Sequence, residues 1–292
     1  MITQPAMNAI PGTWNPRSRS CKRRGSVCQQ LHMNDYQLRQ RGFSIIELLI
    51  SLVLSSMVIL AVVGLYSGSR ESYTTQDEVG RLHENMRIGN SIIERTIRQG
   101  NYKRFPAPRD QNPMLVAAFS FVPVTGANGG STAPGNSDMV EISFNGSTDQ
   151  ATGVADGVVV DCLGASVAAT MQSRNRFQVR VDAEGRPWLN CSIDSGTSWT
   201  PLIPDVEAME VLYGIYSSEN RSVTNFVSWG AVTDPARVVA VKIHLLYRSN
   251  AEVGVAASTQ TYPMAEQTYG PFADRFLRSV TESTIVIRSV AL

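Results

Sequence analysis

The sequence predicts an α+β protein in which one long N-terminal helix packs on an antiparallel β-sheet head. Three observations support this prediction. Residues 43–66 form a continuous apolar run, and residues 67–100 extend it with the periodicity of an amphipathic helix. Residues 101–292 then contain short stretches in which polar and apolar residues alternate, a pattern typical of antiparallel strands. With 292 residues, of which 43% are hydrophobic, the chain is long enough to bury a sizeable core.

The N-terminal 42 residues are predicted to be a leader. They carry seven Lys and Arg residues and one acid, whereas the chain after Gly42 carries 19 basic and 24 acidic residues. The overall charge of +1 therefore conceals a basic start and an acidic remainder. Basic residues before an apolar segment are typical of the cytoplasmic side of a membrane, so the segment is expected to leave towards the opposite side.

The apolar run Phe43–Tyr66 is predicted to be a membrane-spanning helix. At ~1.5 Å of rise per residue it would extend over ~36 Å, which exceeds the ~30 Å of the hydrocarbon layer. Its one charged side chain is Glu47. A carboxylate in a membrane helix costs ~2.5–3.5 kcal/mol at the centre of the bilayer and less near its edge. Such a residue is usually functional and has a partner.

Residues 67–100 are predicted to form an amphipathic continuation of the helix. Its apolar face consists of residues spaced by three, four or seven positions: Val79, Leu82, Met86, Ile93 and Ile97. The opposite face is predicted to be charged and solvated, with Arg70, Glu71, Asp77, Glu78, Arg81, Glu84, Arg87, Glu94, Arg95 and Arg98. Gly100 and Asn101 form an end signal for the helix.

The head, residues 101–292, is predicted to consist of short strands. Residues 105–113 are expected to be a proline-rich connector, and residues 124–138 a loop. The clearest pattern is the alternation in 176–182, which a four-residue turn joins to a second strand at 187–192. Further strands are predicted at 114–124, 139–144, 158–163, 206–216, 238–247 and 284–290.

The segment RGFSIIELLI, residues 41–50, resembles the prepilin signal of type IV pilins and type II secretion pseudopilins. The resemblance implies that a prepilin peptidase cleaves between Gly42 and Phe43 and methylates the new amino group of Phe43. Leaders in this family are commonly short, which favours a translation start at Met33. The resemblance also implies the family's lollipop form, with the helix carrying the β-rich head.

Within this family, the head resembles that of PilW-like minor pilins. The similarity involves the long head, Trp229 followed by the strand ARVVAVKIHLLYRS, and the late segment TIVIRSV. The resemblance implies a minor pilin that joins a tip or priming complex and initiates pilus assembly. Its expected partners are other minor pilins, the major pilin, a large tip adhesin, the prepilin peptidase and inner-membrane lipid. The alternative function is that of a minor pseudopilin in type II secretion.

This family assignment gives Glu47 a role in assembly. The carboxylate would pair with the amino group that cleavage creates on Phe43, in the same subunit or in its neighbour, and would thereby set the stacking register. The expected location is the inner membrane, with the head in the periplasm, and later the pilus, at or near its tip on the cell surface.

Cys162 and Cys191 are the cysteines that lie beyond the predicted leader. Since the head is expected in an oxidising compartment, they are predicted to form a disulfide. Closing a loop of this length would stabilise the fold by ~3–4 kcal/mol on the chain-entropy account. Two separate buried thiols are the alternative.

The sequence favours no enzyme, cofactor, metal or nucleic-acid function. Asn145, Ser147, Asp149 and Asp156 fall at calcium-loop spacing, but Gln150 occupies the position that requires glycine, so an ordinary solvated loop is expected. Arg174, Arg176 and Arg180 would make only a small basic patch, and no nucleic-acid partner is expected. The spacing of the three histidines suggests no nucleophile and base arrangement.

Overall fold

The computed structural model describes residues 42–103, 122–130, 132, 135–149, 151–217, 222–253 and 256–287. This part of the chain contains helix α1 (Ile45–Arg98) and eleven strands, all paired antiparallel, which confirms the predicted α+β class. Residues 1–41, the predicted connector 105–113 and most of the predicted strand 114–124 lie outside the described residues.

By its internal contacts the chain divides after Met57 into two units. In the described part of the first unit, residues 42–57, the backbone is helical from Ile45 onward. In the second unit the helix continues to Arg98, close to the predicted end. The backbone then leaves the helical conformation, since Asn101 adopts a left-handed φ of 58° and the backbone N–H of Tyr102 donates to the carbonyl of Gln99 at 3.0 Å.

The first sheet of the second unit has five strands that follow one another in space as in sequence. They are β1 (Val124–Ala127), β2 (Met139–Asn145), β3 (Gln172–Val181), β4 (Pro187–Ser192) and β5 (Thr200–Pro204). The hairpin of β3 and β4 is confirmed as predicted, with Gly185 at a φ of 80° in its turn. Strand β5 forms one edge of the sheet and contains Pro201 and Pro204.

The second sheet has four strands and a separate hairpin beside it. Its members in chain order are β6 (Val206–Ser217), β7 (Ser222–Val227) and β8 (Val238–Arg248), then the hairpin strands β9 (Tyr262–Met264) and β10 (Gln267–Tyr269), then β11 (Arg278–Val286). The spatial order is β11-β8-β6-β7. The predicted strands 206–216 and 238–247 are confirmed, and the last predicted strand begins earlier than expected, at Arg278.

The main core lies between α1 and the two sheets. Leu82, Ile93 and Ile97 of the predicted apolar helix face are buried, and they belong to one cluster with sheet residues such as Phe177 and Tyr247. A smaller cluster lies on the other face of the second sheet, because successive residues of a strand point to opposite sides. It contains Ala208, Leu246, Tyr262, Met264 and Tyr269.

The strand predicted at 158–163 is wrong. Within the described residues this segment makes only an isolated bridge between Val160 and Ser166. The reason is a turn built by Asp161, whose carboxylate accepts hydrogen bonds from the backbone N–H groups of Leu163 and Ala165, both at 2.9 Å. Gly164 completes the turn with a φ of 85°. Val158 and Leu163 are consequently exposed, whereas the disulfide keeps Cys162 inside.

The loop predicted at 124–138 is wrong at its start, where Val124–Ala127 forms β1. Gly126 in this strand suggested a loop, but a glycine is needed here because of a close contact. A Cβ atom at this position would lie 2.2 Å from the hydroxyl oxygen of Tyr213. The glycine therefore allows the strand to approach a buried tyrosine.

Candidate assembly site

The start of α1 carries the residues to which the prepilin resemblance assigns processing and assembly. Phe43 precedes the helix by two residues and is 83% exposed. Glu47 lies in the first helical turn with an exposed side chain between the exposed apolar residues Ile46 and Leu48. The backbone N–H groups of a first turn carry a partial positive charge, so a carboxylate is favoured at this end of the helix.

The apolar part of α1 has the length and composition of a membrane-spanning helix. Among the described residues it is the one helix that meets this criterion, and its most apolar window of 18 residues has a mean hydropathy of 2.8 with none of its residues buried. No neighbouring chain segment covers it within the described part of the protein. The exposed apolar surface is of the kind that lipid or another helix would cover.

The serine hydroxyls in this segment are satisfied inside the helix. Ser51 and Ser56 donate to the carbonyls of Leu48 and Val53 at 2.9 and 2.7 Å, and Ser55 donates to the carbonyl of Ser51. Such bonds to the preceding turn remove the need for water or another partner. These three serines are therefore compatible with a lipid environment.

Glu78 joins the helix to the head, although the sequence placed it on the solvated face. It is 8% exposed, and its Oε2 atom accepts hydrogen bonds from the backbone N–H groups of Asn250 and Ala251 at 2.8 and 3.0 Å. These bonds satisfy two donors in the connection that follows β8. Helical periodicity alone did not reveal this role, because Glu78 lies at the boundary between the polar and apolar faces.

At Gly89, α1 lies close against the second sheet. A Cβ atom on Gly89 would lie 2.5 Å from the hydroxyl oxygen of Tyr247, a fully buried residue of β8. The next helical residue, Asn90, accepts a hydrogen bond from Thr281 of β11 at 3.2 Å. Glycine at position 89 thus allows the helix to lie directly against the sheet.

The end of α1 holds the segment that precedes the disulfide. The side-chain amide of Gln99 donates to the carbonyl of Val160 at 3.3 Å and accepts from its N–H at 3.2 Å, as a backbone peptide group would. Cys162 and Cys191 form a disulfide with a Cα–Cα distance of 6.5 Å, and both are buried. The backbone N–H of Cys162 donates to Asn175 at 2.8 Å.

A buried ion network crosses the margin of the second sheet. The side chain of Arg278 is 1% exposed and makes paired hydrogen bonds to Glu207 at 2.6 and 2.9 Å and to Asp274 at 2.6 and 2.7 Å. Its guanidinium carbon lies 3.7 Å from the ring centre of Phe272. This arginine satisfies two carboxylates in a location with little water.

Glu210, His244 and Glu282 occupy one cross-strand row on the second sheet. Burial raises the pKa of Glu210 to about 7, although the hydrogen bond that Tyr269 donates to it acts in the opposite direction. Burial also lowers the pKa of His244, against the influence of the Glu282 carboxylate. No sequence pattern indicates that the pKa of Glu210 is perturbed, since Glu210 lies in a strand whose other residues are mostly apolar.

The remaining candidate residues are engaged in local structure. Arg174 and Arg176 both bind the buried carboxylate of Glu141 at 2.7 Å, so both arginines of the predicted basic patch are engaged by one acid, which offsets one of their two positive charges. Two acids with calcium-loop spacing bind neighbouring groups instead. Asp149 accepts hydrogen bonds from the backbone N–H groups of the two residues after Gln150, and Asp156 accepts one from the hydroxyl of Ser147. Among the described residues no group of three or more His, Cys, Asp or Glu side chains is arranged to hold a metal ion.

Comparison with protein families gives two matches. The prokaryotic N-terminal methylation motif matches residues 37–63, which include Gly42, Phe43 and Glu47. The family described as Type IV Pilus-assembly protein W, or PilW, matches residues 176–289. Among solved structures, a type IV-like pilin from Thermus thermophilus is 15% identical with a TM-score of 0.39, and the match covers 73% of this chain and 99% of that chain. No curated protein matches the chain.

Proposed function

Since this chain is a PilW-like type IV pilin, we propose that it is a minor pilin of the complex that initiates pilus assembly at the tip. The match of residues 176–289, in the head, to the pilus-assembly family carries this proposal. The methylation motif and the apolar helix support membrane anchoring. In the proposal the prepilin peptidase cleaves after Gly42 and methylates Phe43.

Glu47 is the proposed stacking residue. Glu47 lies in the first turn of α1, four residues after Phe43, on which cleavage would create the amino group. Two opposite unit charges at about 4 Å attract by ~4 kcal/mol at an effective dielectric constant near 20. This is comparable to the ~2.5–3.5 kcal/mol cost of placing the carboxylate in lipid. Pairing within a filament would therefore offset that cost and favour one register of neighbouring subunits.

The head is the proposed recognition element for other minor pilins, the major pilin and a tip adhesin. It would lie in the periplasm while the apolar helix remains in the inner membrane. The disulfide of Cys162 and Cys191 suits such an oxidising compartment. The family match is to a pilus protein, and this favours the pilus over a secretion pseudopilus.

Replacing Glu47 tests the stacking role. In cells whose own gene has been deleted, Glu47→Ala should reach the membrane at wild-type levels but fail to restore surface pili, and Glu47→Gln should fail in the same way because it lacks the charge. Glu71→Ala is the control, since Glu71 is an exposed residue of the same helix outside the apolar run. Wild-type numbers of pili with Glu47→Ala would refute the pairing role.

Processing and system are tested separately. Mass spectrometry of the membrane-extracted protein should give a methylated Phe43 as its first residue, and retention of residues 1–42 would refute cleavage. Deletion of the gene should reduce the number of pili and leave type II secretion unchanged. Loss of secretion with normal piliation would refute the proposed pilus function.

A further inference from the structure

A groove on the outer surface of the five-stranded sheet is lined by two tryptophans. Its volume is about 330 Å³, near the lower limit of the ~300–1,000 Å³ typical of small-ligand sites. The residues that line it, named here the Trp groove, are Arg180, Val181, Asp182, Trp188, Asn190, Trp199 and Pro201. They come from β3, β4, the turn between them, the residue that precedes β5 and the start of β5.

Both indole rings in the Trp groove are fixed by hydrogen bonds to the protein itself. The indole N–H of Trp188 donates to Asp182 at 3.0 Å, and that of Trp199 donates to the carbonyl of Gly196 at 3.0 Å. Neither N–H is therefore available to donate to a ligand. Both tryptophans are half-buried, so what they offer to a ligand is the flat surface of the rings.

Arg180 supplies the available positive charge of the groove. Its side chain is exposed, and its guanidinium carbon lies 4.8 Å from the ring centre of Trp199. Within the described part of the chain it forms no ion pair, in contrast to Arg186, which binds Asp182 at 3.2 Å. A guanidinium held on an aromatic ring keeps its N–H groups directed for paired bonds to a carboxylate.

We propose that the Trp groove binds a saccharide that contains uronic acid. A pyranose ring has a face of C–H groups that packs on the electron-rich face of an indole. Its hydroxyl groups would meet the polar side chains at the floor and rim of the groove, Asn190 and Asp182. Its carboxylate would pair with Arg180. This binding activity does not depend on the proposed role in pilus assembly.

The lining disfavours two other classes of ligand. Its aliphatic side chains are the small Val181 and Pro201, and it offers flat ring surfaces instead of a deep pocket for a large apolar anchor, which protein interfaces usually fill. Single-stranded nucleic acid also stacks on aromatic rings, but it needs several cations along its phosphates. The groove has one unpaired cation, and the chain after Gly42 carries more acids than bases.

Tryptophan fluorescence gives a direct test with the full chain in detergent micelles. Titration with trigalacturonate should produce a saturable change in emission, and titration with neutral maltotriose should produce a much weaker one. Arg180→Gln, an exposed substitution that leaves the fold intact, should weaken trigalacturonate binding by about tenfold or more, equivalent to ~1.4 kcal/mol. Trp199→Phe should weaken it similarly.

Two matched controls locate the effect in the groove. Trp229→Phe should leave the affinity unchanged, because Trp229 packs on Tyr213 instead of lining the groove. Arg87→Gln, which removes an exposed helix charge, should also leave it unchanged. The proposal is overturned if trigalacturonate gives no saturable signal, if Arg180→Gln binds it as tightly as wild type, or if a short oligothymidine binds more tightly than the saccharide.

Discussion

Adding one methyl group at Gly89 should destabilise the head because of Tyr247. A Cβ atom there would lie 2.5 Å from the tyrosine hydroxyl oxygen but 3.5 and 3.6 Å from the next two atoms, which are ordinary contact distances. Overpacking of this kind costs ~1–3 kcal/mol, whereas replacing glycine by alanine inside a helix gains up to ~1 kcal/mol. Gly89→Ala alone should therefore lower the free energy of unfolding by up to ~2 kcal/mol.

Removing the hydroxyl should change the sign of that effect. In a Tyr247→Phe background the collision is absent, so Gly89→Ala should stabilise the protein by up to ~1 kcal/mol. The coupling between the two substitutions is then expected at ~1–3 kcal/mol, well above the ~0.5 kcal/mol error of additivity. Gly80→Ala is the control, since a Cβ atom at this exposed helix position meets nothing within 4 Å, and it should stabilise in both backgrounds.

The assay is urea unfolding of the four proteins of the cycle in detergent micelles, followed by near-ultraviolet circular dichroism, which reports the packing of the head. Equal effects of Gly89→Ala with Tyr or Phe at position 247 would refute the proposed contact. A stabilising Gly89→Ala in the wild-type background would refute it as well, because the helix would then not lie against the sheet at this point.

Three further predictions concern charged residues of the head and of the helix that packs on it. Arg278→Met leaves Glu207 buried without its main partner and should lower the free energy of unfolding in urea by ~3–5 kcal/mol. Arg275→Gln, the control, breaks an exposed pair and should change this free energy by less than ~1 kcal/mol. Similar effects of the two substitutions would contradict the ion network. The pKa of Glu210 is raised to about 7, which means that the folded state binds the proton more tightly than the unfolded state. The free energy of unfolding should therefore fall as pH rises from about 4.5 to 7, by on the order of 1–3 kcal/mol. If Glu210→Gln shows the same dependence of this free energy on pH as wild type, the assignment to Glu210 is contradicted. Glu78→Ala should remove two hydrogen bonds, speed hydrogen exchange at the amides of Asn250 and Ala251, and lower the free energy of unfolding by ~1–3 kcal/mol. Glu71→Ala is the control and should leave exchange at these two amides as in wild type. Unchanged exchange in Glu78→Ala would exclude the contact.

The sequence predicted elements whose pattern and environment agree. Strand β8 and the hairpin of β3 and β4 follow their alternation, and α1 ends at Arg98, just before the predicted end signal, where Asn101 adopts a positive φ. The segment 158–163 failed for a local reason, since the Asp161 carboxylate offers the backbone a turn that competes with a strand. The loop predicted around Gly126 failed for a distant reason, because Tyr213, the residue that the glycine accommodates, lies far away in sequence.

The candidate sites divide in the same way. The prepilin-like signal is continuous in sequence, so the roles of Gly42, Phe43 and Glu47 could be proposed from it. Glu78 could not be identified, because its partners are backbone groups more than 170 residues away. The Trp groove likewise depends on three neighbouring strands, and no periodicity within any one of them indicates that Trp188 and Trp199 line one surface.

The two prolines of β5 affect how readily two heads can join edge to edge at high concentration. Pro201 and Pro204 lie in an edge strand, and neither has a backbone N–H to donate to an incoming strand. A second molecule is therefore less able to extend the five-stranded sheet with a regular ladder along this border. Heads held side by side at high local density are therefore protected from fusing into continuous cross-β aggregates through this edge.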